Sequence, residues 1–350
     1  RNRLHRKISN EKMKKINLVI ILVLLISINL VAQENDSLKN RKAQVTFAYP
    51  IGSSGTSSTE YLNKFSFNIL YGLNGGVNGF EMGSLLNYNK GQVKGFQLSG
   101  VSNINIGYSD GFILSGVSNI CMDSTSGVII SGVLNYSKQN AKGFQLATAN
   151  ISANEFSGFQ LGVFNYAKKL KGVQFGVFNY LDDGEQGLPI GIFSIVKNGH
   201  YELELAGGEV IYSNLNYKMG VERFYTIYKI GYSSYRNYPV YSAGLGFGGI
   251  LSISDRQKIS IDLSGNSIVY NNNWEGKLNM LNKVDFNYNY SFSEKFSLLI
   301  GPSFNIYVTE QKVDGEFGTL NIPYSIYANE WTSGKLFMWV GLNAGMALRL

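Results

Sequence analysis

The chain has 350 residues, of which 31 are Lys or Arg, 24 Asp or Glu, two His and one Cys. Charged residues make up 16% and hydrophobic residues 44%, with 40 Gly and only 5 Pro, a balance that excludes disorder, collagen and long charged coiled coils. A single Cys excludes an intrachain disulfide framework or a Cys-rich zinc module, and two His leave little for His-based metal or triad chemistry.

The net charge of +7 is unevenly placed. Seven cations and one anion fall within residues 1–33, which leaves 24 cations against 23 anions in the rest. A basic balance ordinarily points to nucleic acid or an anionic membrane. Confined to a leader it does not, and no nucleic-acid partner is expected. Met13, Lys14 and Lys15 precede an almost unbroken apolar run at 16–31, followed by Ala32, Gln33 and the polar residues 34–37. A charged start, an apolar stretch and a small residue before polar sequence predict a secretory signal peptide at 1–33, with the natural start at Met13 and upstream read-through before it. The run is short for a membrane span, and Asn17 and Asn29 weaken it; an N-terminal anchor is the other reading. No Cys follows, so a lipid anchor is not expected. Export without cysteines fits the outer membrane or surface of a Gram-negative cell.

Residues 34–63 read as a short N-terminal strand region. Internal repeats then dominate 64–198. Copies start at Gly79, Gly95, Gly111, Gly127, Gly143, Gly158, Gly172 and Gly187, spaced 16, 16, 16, 16, 15, 14 and 15 residues apart. Each is an apolar octamer or nonamer that ends on Asn87, Asn103, Asn119, Asn135, Asn150, Asn165 or Asn179, or on Ser194 in the last copy. A polar connector follows. Alternation at period 2 makes the octamers strands. In the copy at Gly172, strict alternation places Val173, Phe175 and Val177 on one face with Asn179, and Gly172, Gln174 and Gly176 on the other. An extra Ser before the second Gly predicts a bulge or corner, and the recurrent Gly predicts a bend or a close backbone approach. Two architectures fit: a β-solenoid with one coil per repeat, or an antiparallel meander with one strand per repeat. Uniform period and connector length favour the solenoid. The repeated Asn then forms a ladder that satisfies turn backbone, with a ligand or ion ladder as the sharper alternative.

From about residue 199 the short period stops and long amphipathic strands begin. Residues 241–253 alternate apolar with small residues; 284–292 alternate Val284, Phe286, Tyr288, Tyr290 and Phe292 with Asp285, Asn287, Asn289 and Ser291. Similar runs cover 296–306 and the C-terminal residues to Leu350. Such runs exceed the usual soluble strand, and they match membrane-barrel strands, apolar outward and polar or small inward. Tyr238, Tyr270, Trp274 and Trp331 suit interfacial girdles. Short turns at 254–257 and 293–295 alternate with longer loops at 271–277 and 309–331. About eight strands fit in 199–350, enough for a side-chain-filled barrel. Two other arrangements remain open. One is a soluble β structure; the other is a single barrel of about 16 strands formed by the repeats and the C-terminal half together, wide enough for a channel.

Chemistry-bearing residues are sparse. His200 is the one histidine beyond the leader and Cys121 the one thiol. The glycines at 244–249 lack the helix and Lys of a phosphate loop. Asp182, Asp183 and Glu185 form an acidic turn, capable at most of weak calcium binding. Asp262 and Asp285 are a carboxylate pair only if they face one another across a cleft. Lys168, Lys169 and Lys171 form a basic connector that discourages edge pairing. No catalytic, cofactor-binding or metal-ligating residues are predicted, and no enzyme.

The Gly-x-Gln-x-Gly-x-x-Asn octamers resemble the bacterial surface-repeat envelope proteins built on tandem G-x-Q-x-G-x-x-N units. The resemblance covers about 64–230. The copies at Gly79, Gly111 and Gly127 lack the Gln, and the copy at Gly143 lacks the second Gly. The resemblance implies an exported envelope protein and assigns no functional residue. The expected fold is all-β: tandem 15–16-residue repeats plus an outer-membrane-type antiparallel barrel. The expected role is non-enzymatic, a structural or display surface with outer-membrane lipid and an unidentified protein or glycan as partners. A channel and a soluble secreted binding protein are the alternatives.

Overall fold

In the computed structural model, residues 38–184, 186–273 and 276–350 are described; the leader expected at 1–33, Glu185 and Trp274 lie outside them. Lys39–Leu350 form one compact unit made of two β structures in series.

The repeats form a parallel solenoid. Each coil contributes a longer strand, such as Val93–Ser99, Ser109–Ser115 or Thr125–Ser131, and a shorter one, such as Ser102–Asn105, Ser118–Cys121 or Leu134–Ser137. Every repeat strand pairs in parallel with its counterpart one coil away. Gly95 pairs with Gly111 and Gly111 with Gly127 on the long arm, while Asn103 pairs with Asn119 and Asn119 with Asn135 on the short arm. The meander alternative therefore fails, because each strand's partner is its own sequence equivalent. The segment Lys39–Ala48 pairs in parallel with Tyr61–Asn74, so the N-terminal strand region begins the same stack.

The glycines explain why the stack can form. Gly111 and Gly127 have φ of 125° and 106°, and a Cβ on either would overlap the carbonyl oxygen of the glycine one coil below. Any other residue type there is both strained and in collision.

The strict alternation expected for the copy at Gly172 does not hold. Gln174 and Asn179 are both fully buried, whereas Phe175, Val177 and Phe178 point outward. The chain turns a corner at Gly176, where two successive residues face out and the parity flips. The solenoid is therefore polar inside and apolar outside.

The C-terminal half closes on itself. Its eight strands are His200–Gly208, Ser213–Val221, Phe224–Tyr235, Tyr238–Ser252, Gln257–Tyr270, Asn279–Ser291, Phe296–Thr309 and Gly334–Arg349. Each is antiparallel to the next, and the first pairs with the last through Leu203 with Leu348 and Leu205 with Met346. A single barrel of about 16 strands is excluded by this closure. The repeat strands pair with one another in their own sheet, and the antiparallel ladder has no free edge left to offer them.

Short turns join the strands at one end, around Glu222, Asp255 and Glu294; the other end carries the longer connections at 209–212, 271–278 and 310–333 together with the two-residue turn Arg236–Asn237. The segment Tyr327–Trp331 folds back on the start of the last strand at the long-loop end.

The two structures meet along one wall. Thr226 Oγ1 donates to Gly191 O at 2.7 Å and Tyr228 Oη to Ile192 O at 2.6 Å. The Phe193 and Tyr228 rings lie 5.9 Å apart. Thr226 and Tyr228 are on the outer face of the barrel, so the final coil, Gly187–Val196, rests against the barrel wall and the other coils stack away from it.

Candidate functional site

The solenoid interior is a column of amides. Asn87, Asn103, Asn119, Asn135, Asn150 and Asn165 each donate from Nδ2 to the Oδ1 of the next ladder Asn at 2.9–3.0 Å. The same Nδ2 of Asn119 also donates to Ile130 O at 2.8 Å. The ladder thus satisfies turn backbone and itself, and presents no row of free amides to a ligand. A second, shorter ladder runs Gln174 to Gln160 to Gln145 at 2.8 and 2.7 Å. Ile113 and Ile129 occupy the positions where Gln is missing, and with Cys121 they form a small apolar cluster. Burial pushes the Cys121 thiol up to about 12, so it is an inert core group rather than a nucleophile.

Glu81 stands at the Gln position of the first copy, fully buried. Its carboxylate accepts from Asn68, Asn74, Asn89 and Gln97 at 3.0, 2.5, 2.7 and 2.7 Å. Burial raises its pKa, and the four amide donors pull it partly back.

The barrel interior carries charge. Lys218 is 1% exposed, and its Nζ lies 2.6 Å from Glu204, 3.0 Å from Asp262 and 3.5 Å from Glu202. Tyr225 Oη donates to Asp262 at 2.5 Å, and Asn216 Nδ2 to Glu204 at 2.7 Å. Further along the lumen, Asp285 is held by Lys229 at 3.5 Å and Lys283 at 3.2 Å. Asp262 and Asp285 are direct neighbours across adjacent strands, and lysines take both carboxylates. No cleft separates them, so the glycosidase geometry is not formed. Gly244, Gly246 and Gly248 are the small inward positions beside this network. A Cβ on Gly248 would run into Asp262 and Tyr225.

His200 lines a cleft of about 490 Å³ at the short-turn mouth, together with Glu202, Lys258 and Arg349. It is 3% exposed, and neither ring nitrogen has a hydrogen-bond partner among the described residues. Asp182 accepts from Tyr166 Oη at 3.2 Å. Among the described residues, no cluster of His, Cys, Asp and Glu is arranged to hold a metal ion.

The long-loop end of the lumen is plugged by an apolar cluster of Val210, Val240, Ile268, Tyr270, Leu281, Tyr307, Leu320 and Trp339, among others. Tyr270 was expected in an outer girdle. It shares the inward parity of Asp262, Ser264, Asn266 and Ile268, which explains its burial. Tyr238 and Trp331 are exposed at that end.

Outward positions of the barrel are apolar. Leu263 is 56% exposed, Leu298 53%, Ile230 59% and Leu342 57%. Sequence reading missed the Lys218 network. Its signal was present as Glu202, Glu204 and Lys218 at alternate positions within strands, but their pairing across strands is invisible in a single strand.

No family model, curated protein or solved structure matches the chain.

Proposed function

We propose that this chain is an exported outer-membrane protein of Gram-negative type, whose barrel spans the bilayer and whose repeats serve a structural or interaction role rather than a catalytic one. The observation that carries this reading is the polarity of the barrel. Lys218, Glu204 and Asp262 are inside, while Leu263, Leu298 and Leu342 are outside. In water that arrangement buries charge and exposes leucine, both at a cost; in hydrocarbon it is the stable one. Closure leaves no unpaired strand edge, as a lipid-spanning sheet requires. The charged leader with its apolar run, and the resemblance to tandem-repeat envelope proteins, support the same placement.

A scaffold role is favoured over a channel. Eight strands enclose little space, and here the lumen is taken by ion pairs at one end and by Trp339 and Tyr307 at the other.

The test is the fate of the chain expressed from Met13. It is expected to fractionate with outer membranes and to migrate faster on gels when unboiled. A chain that is soluble after export and shows no shift would overturn the reading.

A further inference from the structure

We propose that the solenoid is itself a lipid-binding element: its apolar corner lies in the acyl chains of the leaflet on the short-turn side, and its connectors stay in water. This rests on the reading of the barrel as membrane-spanning.

The coil is amphipathic in cross-section. One corner is built from Leu85, Val101, Val117, Val133, Val163 and Ile192, between 40% and 53% exposed. The arms beside it carry outward Phe, Leu and Ile, with Phe96 at 55% and Phe175 at 50%. The opposite corner holds the connectors, with Asp123, Lys138, Lys168, Lys169, Asp182 and Asp183. Tyr136, Tyr166 and Tyr180 stand on the short arm between the two zones, where an interfacial ring would be placed. An interior of amides with valines outside is the reverse of a water-facing solenoid, and an exposed apolar surface this continuous marks an interaction site.

The join to the barrel fixes which way the corner points. The connector residues Asp183 and Gly184 line one cleft with Glu222 and Arg223, the short turn of the barrel. Ile192, at the apolar corner, bonds through its carbonyl to Tyr228. Tyr228 lies four residues into the strand that begins at Phe224, about 13 Å along it at the usual rise. The polar corner is therefore level with the turns, and the apolar corner rises along the wall toward the middle of the barrel. The lipid face of the barrel and the apolar corner of the solenoid are continuous, and one bilayer covers both.

Site-directed fluorescence on the full chain decides it. In a Cys121→Ser background, single cysteines replace Leu263 on the barrel wall, Val117 and Val133 at the apolar corner, or Lys138 in a connector. Each is labelled with an environment-sensitive dye in phosphatidylcholine vesicles, and the gel shift confirms that each variant has folded. Labels at positions 263, 117 and 133 are expected to be quenched by brominated acyl chains and shielded from iodide, with the reverse at 138. Quenching by bromolipid at 263, with iodide quenching at 117 and 133, would overturn this inference and leave the barrel reading intact. Shielding of 117 and 133 from both quenchers would also overturn it and assign the corner to a second protein copy. Iodide quenching at 263 would overturn the barrel reading and this one together.

Discussion

The solenoid and the lumen of the barrel away from its apolar plug are both polar inside, yet one is filled with amides and the other with charges. The difference follows from symmetry. In the solenoid, each residue stacks on its own equivalent about 4.8 Å away, so a charged interior position would repeat like charge on like charge along the column. An amide carries both a donor and an acceptor, and can bond to a copy of itself indefinitely. In the barrel, neighbouring strands differ, so Lys218 can face Glu204 and Asp262. Glu81 obeys the same rule from the other side. It occupies the first copy, and the equivalent position one coil on is Gln97, which donates to it.

The comparison can be broken most severely in the barrel. Lys218→Met leaves the buried Glu204 and Asp262, and the partly buried Glu202, without their cation. A loss of about 3–5 kcal/mol is expected, read as a lower temperature for losing the gel shift, with the solenoid's resistance to limited proteolysis unchanged. In the solenoid, Asn119→Leu removes the donor to Asn135 and to Ile130 O and the acceptor for Asn103. A loss of about 2–3 kcal/mol is expected, seen as faster cleavage within the stack while the barrel keeps its gel shift.

Glu81 gives a smaller, pH-dependent effect. Burial raises its folded pKa above the unfolded value. The folded state therefore holds the proton more tightly, and its contribution to stability is full below the ordinary carboxylate range. That contribution declines as pH rises through the raised value. Proteolytic resistance of the stack should fall with rising pH over this window in the native chain and stay level in Glu81→Gln. Least disturbed is Cys121→Ser, whose neighbours in the ladder are Asn105 and Ser137; a change within about 1 kcal/mol is expected. The native thiol, held at about 12, should resist modification at pH 8 until the stack is unfolded in urea.

Much of this architecture could be read from the residues. The constant period and the repeated Gly and Asn identified coils that stack on themselves, and the long alternating runs after residue 199 identified barrel strands. What escaped was direction. Strict alternation through Gly172, Gln174 and Gly176 placed Val173, Phe175 and Val177 with Asn179, because a corner that flips parity leaves no mark in a two-residue period. Tyr270 escaped for a related reason: an aromatic at a strand end looks the same in either parity. The Lys218 network depends on strand neighbours 14 to 44 positions away, and its members are ordinary charged residues when taken singly.

The in-register stack makes the solenoid a ruler. Ten strands lie side by side from Lys39–Ala48 to Gly187–Val196, a span of about 43 Å from the barrel wall at the usual strand spacing. One end is fixed, because the last coil is bonded to Thr226 and Tyr228. Reach is therefore counted in whole repeats. Removing residues 111–126 would bring Gly95 onto Gly127 and Asn103 onto Asn135, with the same ladder closing over the gap, and the far end would draw in by about 4.8 Å. Duplicating the same residues would extend it by as much, and in neither case would the barrel need to change.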